Sequence, residues 1–108
     1  MKKPLVRMVK LNGVQYNASH DPQPYRRVLG EAFHLEALLE GSGSAQCEVS
    51  DERGGILAQG KVARPGRFSC ELKFDHPGTR LVTLRVTGGD QQYAQTLRLD
   101  LMAHAWIG

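Results

Sequence analysis

The residues able to do chemistry are few and widely spaced. Four histidines, His20, His34, His76 and His104, are each far in sequence from another histidine or cysteine, so none shows the spacing of a metal-ligand pair. Cys47 and Cys70 are separated by 22 intervening residues, which fits neither a CxxC metal motif nor a dense disulfide framework. Two acidic groupings, Asp51 with Glu52 and Asp75 with His76, fall in turn-like stretches, where Asp ordinarily hydrogen-bonds its own backbone instead of moving protons. No glycine-rich phosphate loop and no GxSxG elbow is present; Gly41, Gly43, Gly54 and Gly55 sit where a hairpin needs turn residues. The expectation is a chain that is not an enzyme, with no cofactor and no metal.

Two other groupings suit recognition better than catalysis. In the stretch NASHDPQPYRRVLG (17–30), Tyr25, Arg26 and Arg27 place an aromatic ring beside two guanidinium groups, a set that contacts carboxylates or phosphates. Near the C-terminus, His104 and the only tryptophan, Trp106, follow the last apolar run, and a tryptophan there either covers one end of the core or anchors a partner. These five residues are the candidate partner-binding set. The bland reading of the first group is a crossover loop between layers, since 17–30 is longer than most connections and lacks periodicity.

What must position them is a set of strands. Phe68, Cys70, Leu72 and Phe74 alternate with Arg67, Ser69, Glu71 and Lys73, the cleanest period-two run in the chain. After DHPGT, Val82, Leu84 and Val86 face one way; after GGD, Tyr93, Leu97, Leu99 and Leu101 do the same. Upstream, Phe33, Leu35, Ala37 and Leu39 alternate with His34, Glu36 and Leu38, and strand is preferred over a short helix because GSGSAQ and a second alternating piece, Cys47 and Val49, follow as in a hairpin. Ile56, Ala58 and Val62 give another inward set, closed by Arg64, Pro65 and Gly66. Leu5 to Leu11, then the tight-turn pair Asn12-Gly13 and Val14 to Tyr16, read as a hairpin or a bent first strand. Cys47 and Cys70 fall on inward positions, as buried free thiols or as a bridge between two sheets. Arg80, Arg85 and Arg98 are read as outward, polar positions.

The count is about seven strands with a turn at each break and no confident helix, which predicts one all-β domain over 1–108, an antiparallel sandwich in preference to a barrel. At 108 residues, 41% hydrophobic and 23% charged, the chain is long enough for one core and too short for two. Its +3 net charge comes from scattered basic residues, which makes a nucleic-acid partner less fitting than a protein one. The opening MKKPLVRMVKL has its apolar run cut by Arg7 and Lys10, so it does not form a signal peptide; no membrane span is expected, and the chain reads as cytoplasmic unless it is a module excised from an exported protein.

The segment FDHPGTRLVTLRVTGGDQQYAQTLRLDL resembles the last two strands of bacterial immunoglobulin-like modules of the PKD type, through Phe74, Pro77, Gly78, Thr79, Val82, Leu84 and Val86. That resemblance implies an immunoglobulin-like β-sandwich and a spacer, adhesion or accessory role. The tryptophan and glycine-aspartate signature of PKD modules is missing, and Cys47 and Cys70 fall on the wrong strands for an antibody-type bridge. The function expected is therefore a non-enzymatic binding or accessory module acting on a protein partner, with homodimerisation through a sheet edge as one route. The alternative is an OB-like barrel binding single-stranded nucleic acid, which needs aromatic residues on a basic, outward strand face.

Overall fold

The computed structural model describes residues 5–16 and 27–102, with only the backbone of Arg27 at the edge of the second stretch. Its seven strands are β1 (Val6–Leu11), β2 (Val14–Gln15), β3 (Arg27–Val28), β4 (Phe33–Ser50), β5 (Ile56–Leu72), β6 (Gly78–Gly88) and β7 (Gln91–Met102), and the described residues contain no helix. The chain is all-β, as its alternation predicts. Its architecture is nonetheless one curled sheet of order β2-β1-β4-β6-β7-β3, with β5 on the other side of β4, where the sequence suggested two separate sheets. All pairings are antiparallel apart from the short parallel contact of β3 with the end of β7.

Two strands expected to be four explain the difference. The GSGS stretch does not turn the chain back, and Arg64-Pro65-Gly66 does not end a strand: β4 runs unbroken for 18 residues and β5 for 17, paired from end to end. Straight, β4 would span roughly 60 Å at about 3.3 Å per residue, yet the longest dimension of the molecule is 49 Å. The hairpin therefore bends, and it does so where glycine stands in both strands. The register passes from Leu39↔Gly66 to Gly43↔Arg64, so β4 advances four residues while β5 advances two. Gly41 and Gly43 take positive φ of 109° and 77° at this corner, conformations that side chains resist. Because the surplus is two residues, an even number, Leu39 before the bend and Ala45 after it both stay buried.

The bend is sharp. Gly60 and Phe68 are eight residues apart, about 26 Å along a straight strand, but the Phe68 ring lies 3.4 Å from where a Cβ on Gly60 would be. The two halves of the hairpin thus face one another. β1 pairs with the first half of β4 at Leu35 to Leu39, β6 with the second half at Gln46 to Ser50, and between them lie Phe33, Leu35, Cys47, Val49, Leu72, Val82, Leu84, Val86, Leu97 and Leu99, nearly or fully inaccessible.

Smaller irregularities correct single positions. A one-residue slip between Val49↔Ala58 and Ser50↔Ile56 leaves Leu57 as a surplus residue, so Ile56, expected inside, is 49% exposed. A slip around Arg7 lets Val6, Val9 and Leu11 all face inward although their spacing is irregular. The opening is both a hairpin and a bent strand: Asn12 (φ 56°) and Gly13 (φ 82°) make the turn, and Asn12 holds it to β4, its Oδ1 accepting from the His34 amide at 2.9 Å and its own amide donating to the His34 carbonyl at 2.7 Å. Tyr16 then reaches across the curl, its hydroxyl accepting from the Arg98 amide of β7 at 3.0 Å.

Gly66 carries the corner in β5. A Cβ there would lie 2.3 Å from the Ala63 carbonyl oxygen, a backbone atom that cannot step aside alone. Gly66→Ala is expected to lower stability by roughly 1 to 3 kcal/mol, while Gln59→Ala on the exposed face of the same strand stays within about 0.5 kcal/mol. Denaturant midpoints of the two variants check this; equal midpoints would contradict the corner.

Candidate functional site

The strand positions that face inward along β5 are Ala58, Val62, Arg64, Phe68, Cys70 and Leu72, with Gly60 and Gly66 between them; along β6 they are Arg80, Val82, Leu84, Val86 and Gly88. Two arginines thus stand in the apolar alternation. Arg80 was expected to point outward, and it does not: it shares parity with Val82, and a side chain two residues along a strand lies on the same face. Arg64 shares parity with Phe68 in the same way. That parity was the signal in the sequence, hidden because arginine reads as a surface residue and because Arg64 was placed in a turn.

Each arginine lines a cleft. Arg80, Leu57, Phe74 and His76 line one of about 290 Å³, together with Asp51, Glu52 and Asp75. Arg64 lines a second of about 390 Å³ with Gly41, Ser42 and the Gly88 to Gln91 turn. In both arginines Nε is buried without a hydrogen-bond partner, and neither makes an ion pair among the described residues. A guanidinium partly removed from water with donors unmatched is an unfavourable arrangement unless something accepts from it.

The first cleft gathers both carboxylate-bearing turns singled out in the sequence, and Asp51, Glu52 and His76 are engaged with backbone. Asp51 Oδ1 accepts from the amides of Arg53 at 2.9 Å and Gly55 at 2.8 Å, closing the β4–β5 turn. Glu52 Oε1 accepts from the Leu81 amide at 3.0 Å, pinning that turn to β6. His76 Nδ1 lies 2.8 Å from the Asp75 carbonyl. No group of three or more His, Cys, Asp or Glu residues that could hold a metal occurs among the described residues.

Outside the clefts, the outer face carries ordinary surface pairs: His34 with Glu36 at 3.0 Å, Arg67 with the same carboxylate at 3.3 Å, and Arg98 with Asp100 at 3.2 Å, contacts of little energetic weight where solvent screens them. The phenylalanines offer no stacking platform: Phe33 and Phe68 are buried, and Phe74 meets Phe33 edge-on at 6.0 Å between centroids. Along β5, only β4 pairs among the described residues, and the outer backbone edge of that strand has no described strand beside it. Ile56 and Leu57 at its start are 49% and 38% exposed.

Of the five residues expected to bind a partner, Tyr25, Arg26, His104 and Trp106 lie outside the described residues, and Arg27 is described through its backbone alone, paired with Leu101. The stretch 17–26, read either as a crossover between layers or as a recognition loop, lies outside the described residues. Comparison with known protein families, characterised proteins and solved structures returned no match.

Both cysteines are free thiols. Burial pushes the Cys70 thiol up to about 11 from an ordinary 9.0, and raises that of Cys47. A thiol that stays protonated in the fold but ionises in the unfolded chain stabilises fully below the unfolded value, and that contribution is lost as pH rises through the folded one. Stability is therefore expected to be flat approaching pH 9 and to fall between about pH 9 and 11. Cys70→Ala should flatten part of that fall, leaving the contributions of Cys47 and of Tyr93, whose hydroxyl burial also raises. Denaturation midpoints across this range check it, and an identical alkaline fall in the variant would contradict the assignment.

Proposed function

We propose that this chain is a non-enzymatic binding or accessory module that takes an extended segment of a protein partner onto the open edge of β5. The observation that carries the reading is that edge: 17 residues with β4 on one side and no described strand on the other. Backbone groups on such an edge are a template for strand addition, with side chains at alternate positions supplying selectivity. The strand has only partial protection against pairing. Lys61, Arg67 and Pro65 discourage it near the corner, whereas Ile56 and Leu57 leave adjacent apolar groups exposed at the opposite end.

Two further considerations support a binding role. Two of the carboxylates weighed for acid-base chemistry accept from backbone amides, Asp51 within its own turn and Glu52 from Leu81 of β6. The resemblance of the β6–β7 hairpin to immunoglobulin-like modules implies adhesion or accessory duties, and on that reading the curled sheet is a variant in which one long bent hairpin serves both layers of the sandwich.

The experiment is selection of binders from a random peptide library, followed by amide hydrogen exchange of the complex. Selected peptides should slow exchange in β5, and the Ile56→Lys, Leu57→Lys double variant should weaken them at least tenfold with an unchanged melting temperature. Sedimentation of the free chain identifies a second copy as the occupant if it dimerises and the same variant dissolves the dimer. Protection confined to β7, or a monomeric chain that selects no peptide, would overturn the reading.

A further inference from the structure

The Arg64 cleft is built in a way the strand edge does not require. Arg64 sits opposite Gly43 in the register, and its side chain crosses that strand toward the tip of β6. A Cβ on Gly88 would lie 2.8 Å from Arg64 Cζ and 2.9 Å from Nη1, one on Gly41 would lie 3.0 Å from Nη1, and one on Gly43 would lie 3.8 Å from Nη2. Three glycines on two strands thus leave the path that the guanidinium occupies. The aliphatic stem of Arg64 packs at the corner. Packing alone does not account for a charged head whose Nε is buried without an acceptor, beside an open cleft of about 390 Å³.

We propose that this cleft binds a carboxylate group, with the Arg64 guanidinium as its anchor. A guanidinium presents paired N–H donors in a plane, matching the two oxygens of a carboxylate. Ser42 lines the same space and adds a hydroxyl. Geometry selects among anions, because a carboxylate offers two coplanar oxygens to the planar fork, and Asp90, in the same lining, adds a repulsion that grows with the charge of the anion. The Arg80 cleft, although its arginine is equally unpartnered, sets three carboxylates, Asp51, Glu52 and Asp75, against two guanidinium groups, Arg53 and Arg80, and so keeps a net negative lining. It repels anions and serves as an internal control. The volume suits a small organic acid or the C-terminal residue of a peptide. The site is independent of the β5 edge, and either can fail without the other.

The test follows the Arg64 and Arg80 Nε–H resonances by NMR during titration with acetate, N-acetylglycine, N-acetylglycinamide and inorganic phosphate at constant ionic strength. Acetate and N-acetylglycine should move the Arg64 signal and the Gly43, Gly88 and Gly89 amides saturably, in roughly the millimolar range expected of ligands with so few atoms. N-acetylglycinamide should not, and Arg80 should stay still. Tighter binding of N-acetylglycine than of acetate identifies a peptide C-terminus as the source; equal binding identifies a small acid. Arg64→Gln should abolish the saturable shift. Should that variant not fold, Asp90→Asn decides, with an expected severalfold gain for acetate and a larger one for phosphate. Phosphate binding the wild-type chain more tightly than acetate, Arg64 and Arg80 shifting together, or no effect of Asp90→Asn would each overturn the proposal.

Discussion

The structure depends on a constraint at the corner of the β4–β5 hairpin. Two strands longer than the molecule itself must bend, and they must do so without exchanging their inner and outer faces. An odd surplus of residues at the bend would expose Ala45, Cys47 and Val49 or else Phe33, Leu35 and Ala37, among which Val49, Phe33 and Leu35 are each worth roughly 1.5 to 3 kcal/mol when buried. The surplus between Leu39 and Gly43 is even. Glycine at 41 and 43 accepts the positive φ there, and Gly66 accepts the close carbonyl across from them. One hairpin can consequently furnish strands to both halves of a facing pair of sheet segments.

The candidate sites are consequences of that corner. Bending brings Arg64, an inward residue of the bend itself, across Gly43 to the β6 tip, where no side chain competes for its place. Among the described residues it also leaves β5 as the outermost strand along its whole length, because β1 and β6 both pair with the opposite edge of β4. At the other end of the hairpin, the turn closed by Asp51 is fastened to β6 by Glu52, and the cleft around Arg80 forms beside it. A chain with little chemistry in its sequence thus acquires two partly buried cations and an open edge from topology alone.

Much of the fold was legible from residue alternation. The inward sets Phe33 to Leu39, Val82 to Val86 and Leu97 to Leu101 are buried as their spacing predicts, and Asn12-Gly13 turns the chain where its positive-φ preference says it should. What alternation cannot convey is whether a glycine-rich interruption reverses a strand or bends it. GSGS and RPG satisfy the local requirements of both outcomes, and the choice rests on pairing between residues about 25 apart. The sites were less legible for a related reason. Arg64 and Arg80 follow the apolar parity of their strands, yet residue type alone places arginine outside, and only the glycines on neighbouring strands show why Arg64 fits within. The aromatic and basic residues that drew notice in the sequence, Tyr25, Arg26, His104 and Trp106, lie outside the described residues.

The bend itself is open to direct observation by a nuclear Overhauser measurement between the Gly60 α-protons and the Phe68 ring. A bent β5 predicts a cross-peak, since the ring comes within van der Waals contact of that glycine, alongside the ordinary cross-strand peaks of Gly60 with Cys47 and of Phe68 with Ala37. If both cross-strand peaks are present and the Gly60–Phe68 peak is missing, the hairpin is straight and the account of the corner is wrong.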